Sequence, residues 1–223
     1  MTPSSNKLKP LFTLLFFLIL YPASAQESML CVGGHWTEDE ANLMMKEFRS
    51  GWDDPESWEK RADMIRQGII DGMQLEKMPA IAGQFNPVLH SRREMDGYVV
   101  ENIAIESFPG FWITGNLYTP LKPKAKNAAV LCPHGHAADK RFTADVQIRS
   151  AALARMGAIV IAYDMVGYGE SQQVNHRMPI ALVLQTYNSR RVLEYLLSRP
   201  DVDPDRIGMT GGSGGGTQRW SSP

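Results

Sequence analysis

The sequence has little that would suit a disulfide scaffold, a nucleic-acid binder or a membrane protein. It contains two cysteines, Cys31 and Cys132, too few for a framework of several bridges. Two free thiols are favoured over one bridge, because Cys132 ends an apolar run as a buried small residue would. The formal net charge of -1 gives no basic excess for nucleic acid. The main apolar segment, residues 11–20, is too short to cross a bilayer as a helix.

Residues 1–25 have the pattern of a cleaved signal peptide. Lys7 and Lys9 form a positive region ahead of the apolar residues 11–20, and small residues in an A-x-A pattern end at Ala25. An uncleaved membrane anchor is the alternative, but the short apolar region favours cleavage after Ala25. The sequence therefore predicts a secreted or periplasmic protein with no membrane span after processing.

Residues 26–96 are predicted to form a helical N-terminal extension. Thr37 and Glu40 make a capping box, and Asp54-Pro55 supplies an N-cap and a first-turn proline for a second helix. Apolar residues follow each cap at helical spacing, and both stripes are expected to be buried: Ala41, Met44, Met45 and Phe48, then Trp58, Ala62, Ile65 and Ile69. Residues 76–96 are expected to be irregular, with His90 a surface histidine because no partner lies at metal-binding spacing.

From Tyr98 onward the period of the apolar residues changes to two, which predicts an antiparallel hairpin over 98–118. Short apolar runs then alternate with helical patterns, in the order 128–132, 144–156, 158–163, 180–198 and 207–210. This alternation predicts an α/β domain over 97–223, with a mostly parallel sheet flanked by helices. Sites in such sheets form at the carboxyl ends of the strands, where three loops are expected to meet: 133–138, 164–171 and 211–216.

The segment Gly211-x-Ser213-x-Gly215 has the spacing of a nucleophile elbow. A serine at a sharp strand-to-helix turn has strained backbone geometry, and side chains two positions before and after it would collide, so both positions require glycine. The turn also aims the first N–H groups of the following helix at an incoming carbonyl oxygen. A flexible Gly/Ser loop is the alternative, but the strand pattern ahead of the motif favours the elbow.

Three motifs in this order resemble the α/β-hydrolase family. Pro133-His-Gly-His136 follows a buried strand where that family places its oxyanion loop, Asp164-Met-Val-Gly-Tyr-Gly-Glu-Ser171 follows the next strand, and the elbow follows the last. More narrowly, the chain resembles secreted acetyl-xylan-esterase-like carbohydrate esterases. Three segments carry that narrower resemblance: Ala154-Arg-Met-Gly-Ala, Tyr163-Asp-Met-Val-Gly-Tyr-Gly and Asp203-Pro-Asp-Arg-Ile-Gly-Met-Thr-Gly.

The resemblance implies a serine ester hydrolase that deacylates acetylated carbohydrate, with Ser213 as its nucleophile. The serine hydroxyl would need a histidine to remove its proton, and the backbone N–H groups of Gly214 and His136 would donate to the oxyanion. Asp164 is interpreted as a residue that stabilises its own turn rather than as the triad acid. His134 and His136 are both interpreted as residues that shape their loop, and His136 as a candidate for contact with the substrate.

The triad acid and histidine are not found where the family would place them. In this family they follow the nucleophile in sequence, and neither residue type occurs from Gly214 to Pro223. We therefore expect a truncated domain that ends just after the elbow and leaves a sheet edge unpaired. We expect such a chain, expressed alone, to be poorly soluble and inactive.

Two other functions remain open at the level of sequence: a serine peptidase of the same fold, and a non-catalytic gene remnant or binding module. No nucleotide cofactor is expected, because the glycine run lacks the Gly-Lys-Ser/Thr of a phosphate-binding loop. No metal site is expected, and His176 is interpreted as a surface residue. The expected partner is a small-molecule or polysaccharide ester rather than nucleic acid.

Overall fold

The computed structural model describes residues 36–79 and 85–221, with side chains described as far as residue 218. The predicted signal peptide and Cys31 lie outside the described residues. The chain divides after Gly51 into two units, which are taken in turn. Within the described ranges, every helix is too short or too polar to span a bilayer.

The first unit holds helix α1, Glu38–Arg49. The predicted capping box is confirmed: the Thr37 hydroxyl oxygen accepts the Glu40 N–H at 3.3 Å, and the Glu40 carboxylate accepts the Thr37 N–H at 2.8 Å. The prediction that its apolar stripe is buried is wrong, because α1 has no buried residue and Met45 and Phe48 are exposed. Among residues 36–51, the part of this unit that the structure describes, α1 is the only helix or strand, so no second described element of the unit covers the stripe.

The second unit begins with helix α2, Pro55–Met73, followed by a short 3₁₀ turn, Leu75–Lys77. The Asp54 N-cap is confirmed, since its carboxylate accepts the Ser57 N–H at 2.7 Å. The predicted apolar stripe is only partly covered: Ala62 is buried, whereas Trp58 and Ile65 remain exposed.

Six strands form one sheet in this unit. Their bounds are β1 Val88–Met95, β2 Tyr98–Phe108, β3 Phe111–Pro120, β4 Asn127–Leu131, β5 Ile159–Tyr163 and β6 Val202–Met209, and their order across the sheet is β1-β2-β3-β5-β4-β6. The first three pairings in that order are antiparallel, and β4 runs parallel to both β5 and β6. The sheet in the described residues is therefore mixed rather than mostly parallel, because the hairpin strands join it antiparallel.

Strand β1 lies in the range that was expected to be irregular, so that expectation is wrong. All eight of its residues are exposed, and the charged run Arg92-Arg-Glu94 gives no apolar alternation. A strand exposed on both faces has no period-two signal to detect. Similarly, β6 begins at Val202 rather than at Ile207, because its polar first half reads as a turn in the sequence.

Two helices cover opposite faces of the sheet: α3, Ala144–Arg155, and α4, Ala181–Ser198. In β5, Val160 and Ala162 pack in the cluster that contains residues of α3, whereas Ile159 and Ile161 pack in the cluster that contains residues of α4. Successive side chains of a strand point to opposite faces, so β5 is buried on both sides, as its apolar run predicted.

The strand order places three loops at one end of the sheet. From β4 the chain passes through α3 to β5 on one side, and α4 then carries it across β4 to β6 on the other side. The carboxyl ends of β4, β5 and β6 therefore meet where the direction of winding reverses, which is the usual position of a ligand site in α/β sheets.

Candidate active site

Ser213 forms the turn between strand β6 and helix α5, Gly214–Ser221. Its φ is +53°, a left-handed backbone conformation that residues other than glycine rarely adopt. Such strained residues cluster at functional sites. Ser213 is exposed, with a strand entering the turn and a helix leaving it. The backbone thus has the strand-turn-helix geometry that the sequence predicts for an elbow rather than that of a flexible Gly/Ser loop; that Ser213 is a nucleophile stays a prediction.

The elbow glycines have a steric origin in the neighbouring loop. A Cβ atom on Gly211 would lie 2.8 Å from the backbone oxygen of Pro133, and one on Gly215 would lie 2.4 Å from the same oxygen. Gly212, between them, has nothing within 4 Å of its Cβ position. The loop after β4 therefore excludes side chains at 211 and 215, but not at 212.

A cavity of about 460 Å³ lies beside Ser213. The loop after β4, the start of α3 and the elbow residues Gly212 and Ser213 form its walls. The polar side chains of His136, Thr143, Asp145 and Arg149 line it. Gly135 lies close to the serine, since a Cβ on it would be 3.6 Å from Ser213 Oγ. The volume falls within the range of small-molecule sites, so a ligand in the cavity would reach the serine hydroxyl.

The two predicted oxyanion residues lie next to the elbow and against each other. A Cβ on Gly214 would lie 2.7 Å from Cε1 and 2.8 Å from Nδ1 of His136. Only glycine at 214 therefore leaves room for this ring. The structure brings Ser213, Gly214 and His136 together; that the two backbone N–H groups bind an oxyanion stays a prediction.

His134 holds the loops after β4 and β5 together, which confirms its loop-shaping role. Its buried ring donates from Nδ1 to the Gly135 carbonyl at 2.7 Å and accepts the Met165 N–H at Nε2 at 3.1 Å. Both ring nitrogens are thus occupied by backbone groups. This arrangement leaves His134 no nitrogen with which to act as a base toward Ser213.

Asp164, at the end of β5, is buried in a network that stabilises its own loop, as predicted. Its Oδ2 accepts hydrogen bonds from the Glu170 N–H at 3.0 Å, the Thr114 hydroxyl at 2.8 Å and the Arg141 guanidinium. A Cβ on Gly169, whose φ is +55°, would collide with this carboxylate, so the turn requires glycine there. Asp164 therefore anchors the 164–171 loop.

The charge of Asp164 depends on the cation beside it. Burial has the largest effect and would raise its pKa; His134 and the Arg141 guanidinium lower it, and together they hold the pKa below the usual 3.8. His134 Nε2 lies 3.7 Å from the carboxylate and already accepts the Met165 N–H. Arg141 is therefore the decisive partner.

Arg141 is a structural residue that the sequence did not reveal. It is 1% exposed and donates to Asn116 Oδ1 at 2.8 Å and to Glu170 Oε2 at 2.5 Å, besides its ion pair with Asp164. It thereby ties the loop between β4 and α3, which walls the cavity, to the loop after β5. An arginine in a polar loop carries no sequence signal of burial.

A cluster of three rings beside the elbow was also missed. His176 Nε2 lies 3.0 Å from His136 Nε2, and His176 Nδ1 lies 2.8 Å from the Val166 carbonyl oxygen. The Tyr168 ring meets the rings of His176 and His136 edge to face, at 4.6 and 5.7 Å between centroids. The prediction of His176 as a surface residue is wrong, because it is half-buried among these groups.

Neither a base for Ser213 nor a metal site is assigned. Among residues 36–79 and 85–218, no side chain hydrogen-bonds to Ser213 Oγ, and the triad acid and histidine stay unassigned. The same residues contain no group of three or more His, Cys, Asp or Glu that could hold a metal ion. Cys132 is buried with a free thiol.

Comparison with known proteins places the fold. No protein-family model matches the chain, and no curated protein matches it. Among solved structures, the methylesterase BT1017 is 37% identical to this chain, with a TM-score of 0.73. The match covers 82% of this chain and 42% of the BT1017 chain. A putative acetyl xylan esterase from Bacteroides fragilis is 18% identical with a TM-score of 0.59, covering 86% of this chain and 58% of its own.

A third structure, acetyl xylan esterase 1 from Thermoanaerobacterium sp., is 18% identical with a TM-score of 0.54, over 71% of this chain and 52% of its own. The chain thus spans about half the length of the structures it matches. The predicted α/β-hydrolase fold is confirmed, and so is the resemblance to carbohydrate esterases.

Proposed function

We propose that this protein is a serine ester hydrolase that acts on esterified carbohydrate, with Ser213 as its nucleophile. The observation that carries the proposal is the backbone of Ser213, held at φ +53° between a strand and a helix at the edge of a cavity. Left-handed geometry in a serine costs about 1–2 kcal/mol, and a role for its projecting hydroxyl accounts for retaining it.

The chemistry follows from the elbow. The Ser213 oxygen attacks the ester carbonyl carbon as a base removes its proton, and the carbonyl oxygen becomes an oxyanion. The N–H of Gly214, at the start of α5, and that of His136 donate to this oxyanion; a single such donor contributes about 2.7–4 kcal/mol. Collapse of the oxyanion breaks the bond to the alcohol oxygen, which takes the proton from the base, and leaves an acyl-serine that water then hydrolyses. A histidine would be the usual base, and among residues 36–79 and 85–218 no histidine side chain hydrogen-bonds to Ser213 Oγ.

Two ester classes fit the neighbours. Acetyl esters of a sugar are the substrate that the acetyl xylan esterase names suggest, but those structures are only 18% identical and support the fold alone. A methyl ester of a carbohydrate acid is the second candidate, favoured by the 37% identity with a methylesterase. In the first class the sugar is the leaving alcohol, whereas in the second the sugar carries the acyl carbon.

We further propose export of the protein through its N-terminal signal.

Product analysis separates the two classes. The intact protein is incubated with acetylated xylan and with methyl-esterified pectin, and released acetate and methanol are measured. Ser213→Ala is expected to abolish whichever release occurs, whereas Gly68→Ala, at an exposed position of α2 with no atom within 4 Å of its Cβ, serves as a control outside the site. Release that persists at the wild-type rate in Ser213→Ala would refute the nucleophile. Cleavage of peptides instead of both esters would support a peptidase.

A further inference from the structure

The His136–His176 pair has a proton arrangement that its contacts determine. The Val166 carbonyl oxygen can only accept, so His176 Nδ1 must carry the hydrogen that bridges their 2.8 Å separation. In a neutral His176 ring, Nε2 is then an acceptor. His136 Nε2, 3.0 Å away, must therefore be the donor. In a neutral His136 ring that donates from Nε2, Nδ1 carries a lone pair.

That lone pair lies at the elbow. The Nδ1 and Cε1 edge of the His136 ring faces Gly214, within 2.8 Å of its Cβ position, and His136 lines the cavity beside Ser213. His136 is exposed, and within the described part of the chain no group donates to its Nδ1. The site therefore presents one neutral nitrogen acceptor beside the predicted nucleophile.

The loop after β5 is shaped to hold this arrangement. A Cβ on Gly167, whose φ is +79°, would lie 2.3 Å from the His176 backbone nitrogen, so the loop folds tightly onto His176. The Tyr168 ring packs edge-on against both histidines. His176 does not line the cavity that contains Ser213, so it acts through His136.

We propose that His136 Nδ1 is a hydrogen-bond acceptor for a hydroxyl group of the substrate beside the ester, and that His176 is the positioning residue that fixes this tautomer. The proposal rests on the proposed function and deepens it. Sugars carry hydroxyl groups next to their esterified position, so the acceptor selects carbohydrate esters over simple ones. A neutral hydrogen bond of this kind changes the ratio of kcat/KM between an ester with the neighbouring hydroxyl and one without it by roughly three- to tenfold.

The tautomers are tested first by long-range ¹H–¹⁵N NMR of the intact protein labelled at histidine nitrogen. The expected spectrum has His176 protonated at Nδ1 and His136 protonated at Nε2 alone. In His176→Phe, His136 is expected to lose its single tautomer, whereas His90→Phe, a change at an exposed histidine on β1, is expected to leave it intact. A hydrogen on His136 Nδ1 in the wild-type protein would overturn the proposal.

Selectivity is tested with two substrates: a monoacetylated methyl xyloside with a hydroxyl beside the ester, and the same compound with hydrogen in place of that hydroxyl. The ratio of their kcat/KM values is expected to fall three- to tenfold in His176→Phe. His176→Gln, which keeps a side-chain acceptor, is expected to retain more of the ratio, and His90→Phe all of it. An unchanged ratio in His176→Phe would overturn the proposal. If these acetyl esters are not cleaved, the same ratio is measured with a methyl-esterified sugar acid and its analogue with hydrogen in place of the neighbouring hydroxyl. Absence of hydrolysis of both ester classes would refute the ester hydrolase, while the NMR result would still stand for or against the tautomers.

Discussion

Substitution of Arg141 by methionine should be among the most damaging single changes in this fold. Arg141 and Asp164 are each 1% exposed, and the change leaves the carboxylate buried with only the Thr114 hydroxyl and the Glu170 N–H to stabilise it. Removing one partner of a buried ion pair costs about 3–5 kcal/mol. Since a domain has about 5–15 kcal/mol of stability in total, Arg141→Met should lower the urea midpoint of the intact protein strongly.

A matched control separates burial from charge. Lys60 and Glu56 form an ion pair of 2.8 Å on α2, with side chains 75% and 79% exposed. Lys60→Met removes one positive charge, as Arg141→Met does, but should change the free energy of unfolding by less than about 0.5 kcal/mol. If the two variants unfold at the same urea concentration, the network around Asp164 does not hold the loops together.

The ion pair between Arg141 and Asp164 predicts that stability depends on pH. The pKa of Asp164 lies below the 3.8 of an unfolded aspartate, so the folded state favours the ionised carboxylate. Its contribution to stability is therefore fully present above about pH 3.8 and is lost as the pH falls through the lower folded value. The stability difference between wild-type protein and Asp164→Asn should shrink over that acidic range. A difference that stays constant with pH would contradict the ion pair.

Two further predictions concern the elbow. Ser213→Gly and Ser213→Ala should both be inactive toward esters. The glycine variant should be more stable than the alanine variant by about 1–2 kcal/mol, because glycine adopts φ +53° without a Cβ penalty. Equal unfolding midpoints of the two variants would show that the turn is unstrained. Gly215→Ala should destabilise the protein by about 1–3 kcal/mol, since its Cβ would meet the Pro133 oxygen at 2.4 Å. Gly212→Ala should stay within about 0.5 kcal/mol of wild type by the same urea measurement.

The features that the sequence predicted are those with a local cause. Buried β5 reads as a continuous apolar run because both of its faces are covered. The Thr37–Glu40 capping box and the proline after Asp54 lie within a few residues of the helix ends they stabilise. Strand β1 was missed because pairing with β2 stabilises it through backbone hydrogen bonds, while its side chains remain exposed and carry no pattern.

In the candidate site, too, features with a local cause could be predicted, whereas contacts between distant residues could not. The glycines around Ser213 could be predicted from the spacing of the motif, although the Pro133 oxygen that excludes side chains at 211 and 215 belongs to the distant loop after β4. The contact between His136 and His176 joins residues 40 positions apart, and it exists because β4 and β5 are neighbours in the sheet. Strand order is a property of the whole sheet, so side chains that meet only through it, Arg141 and Asp164 among them, are not predictable from local spacing.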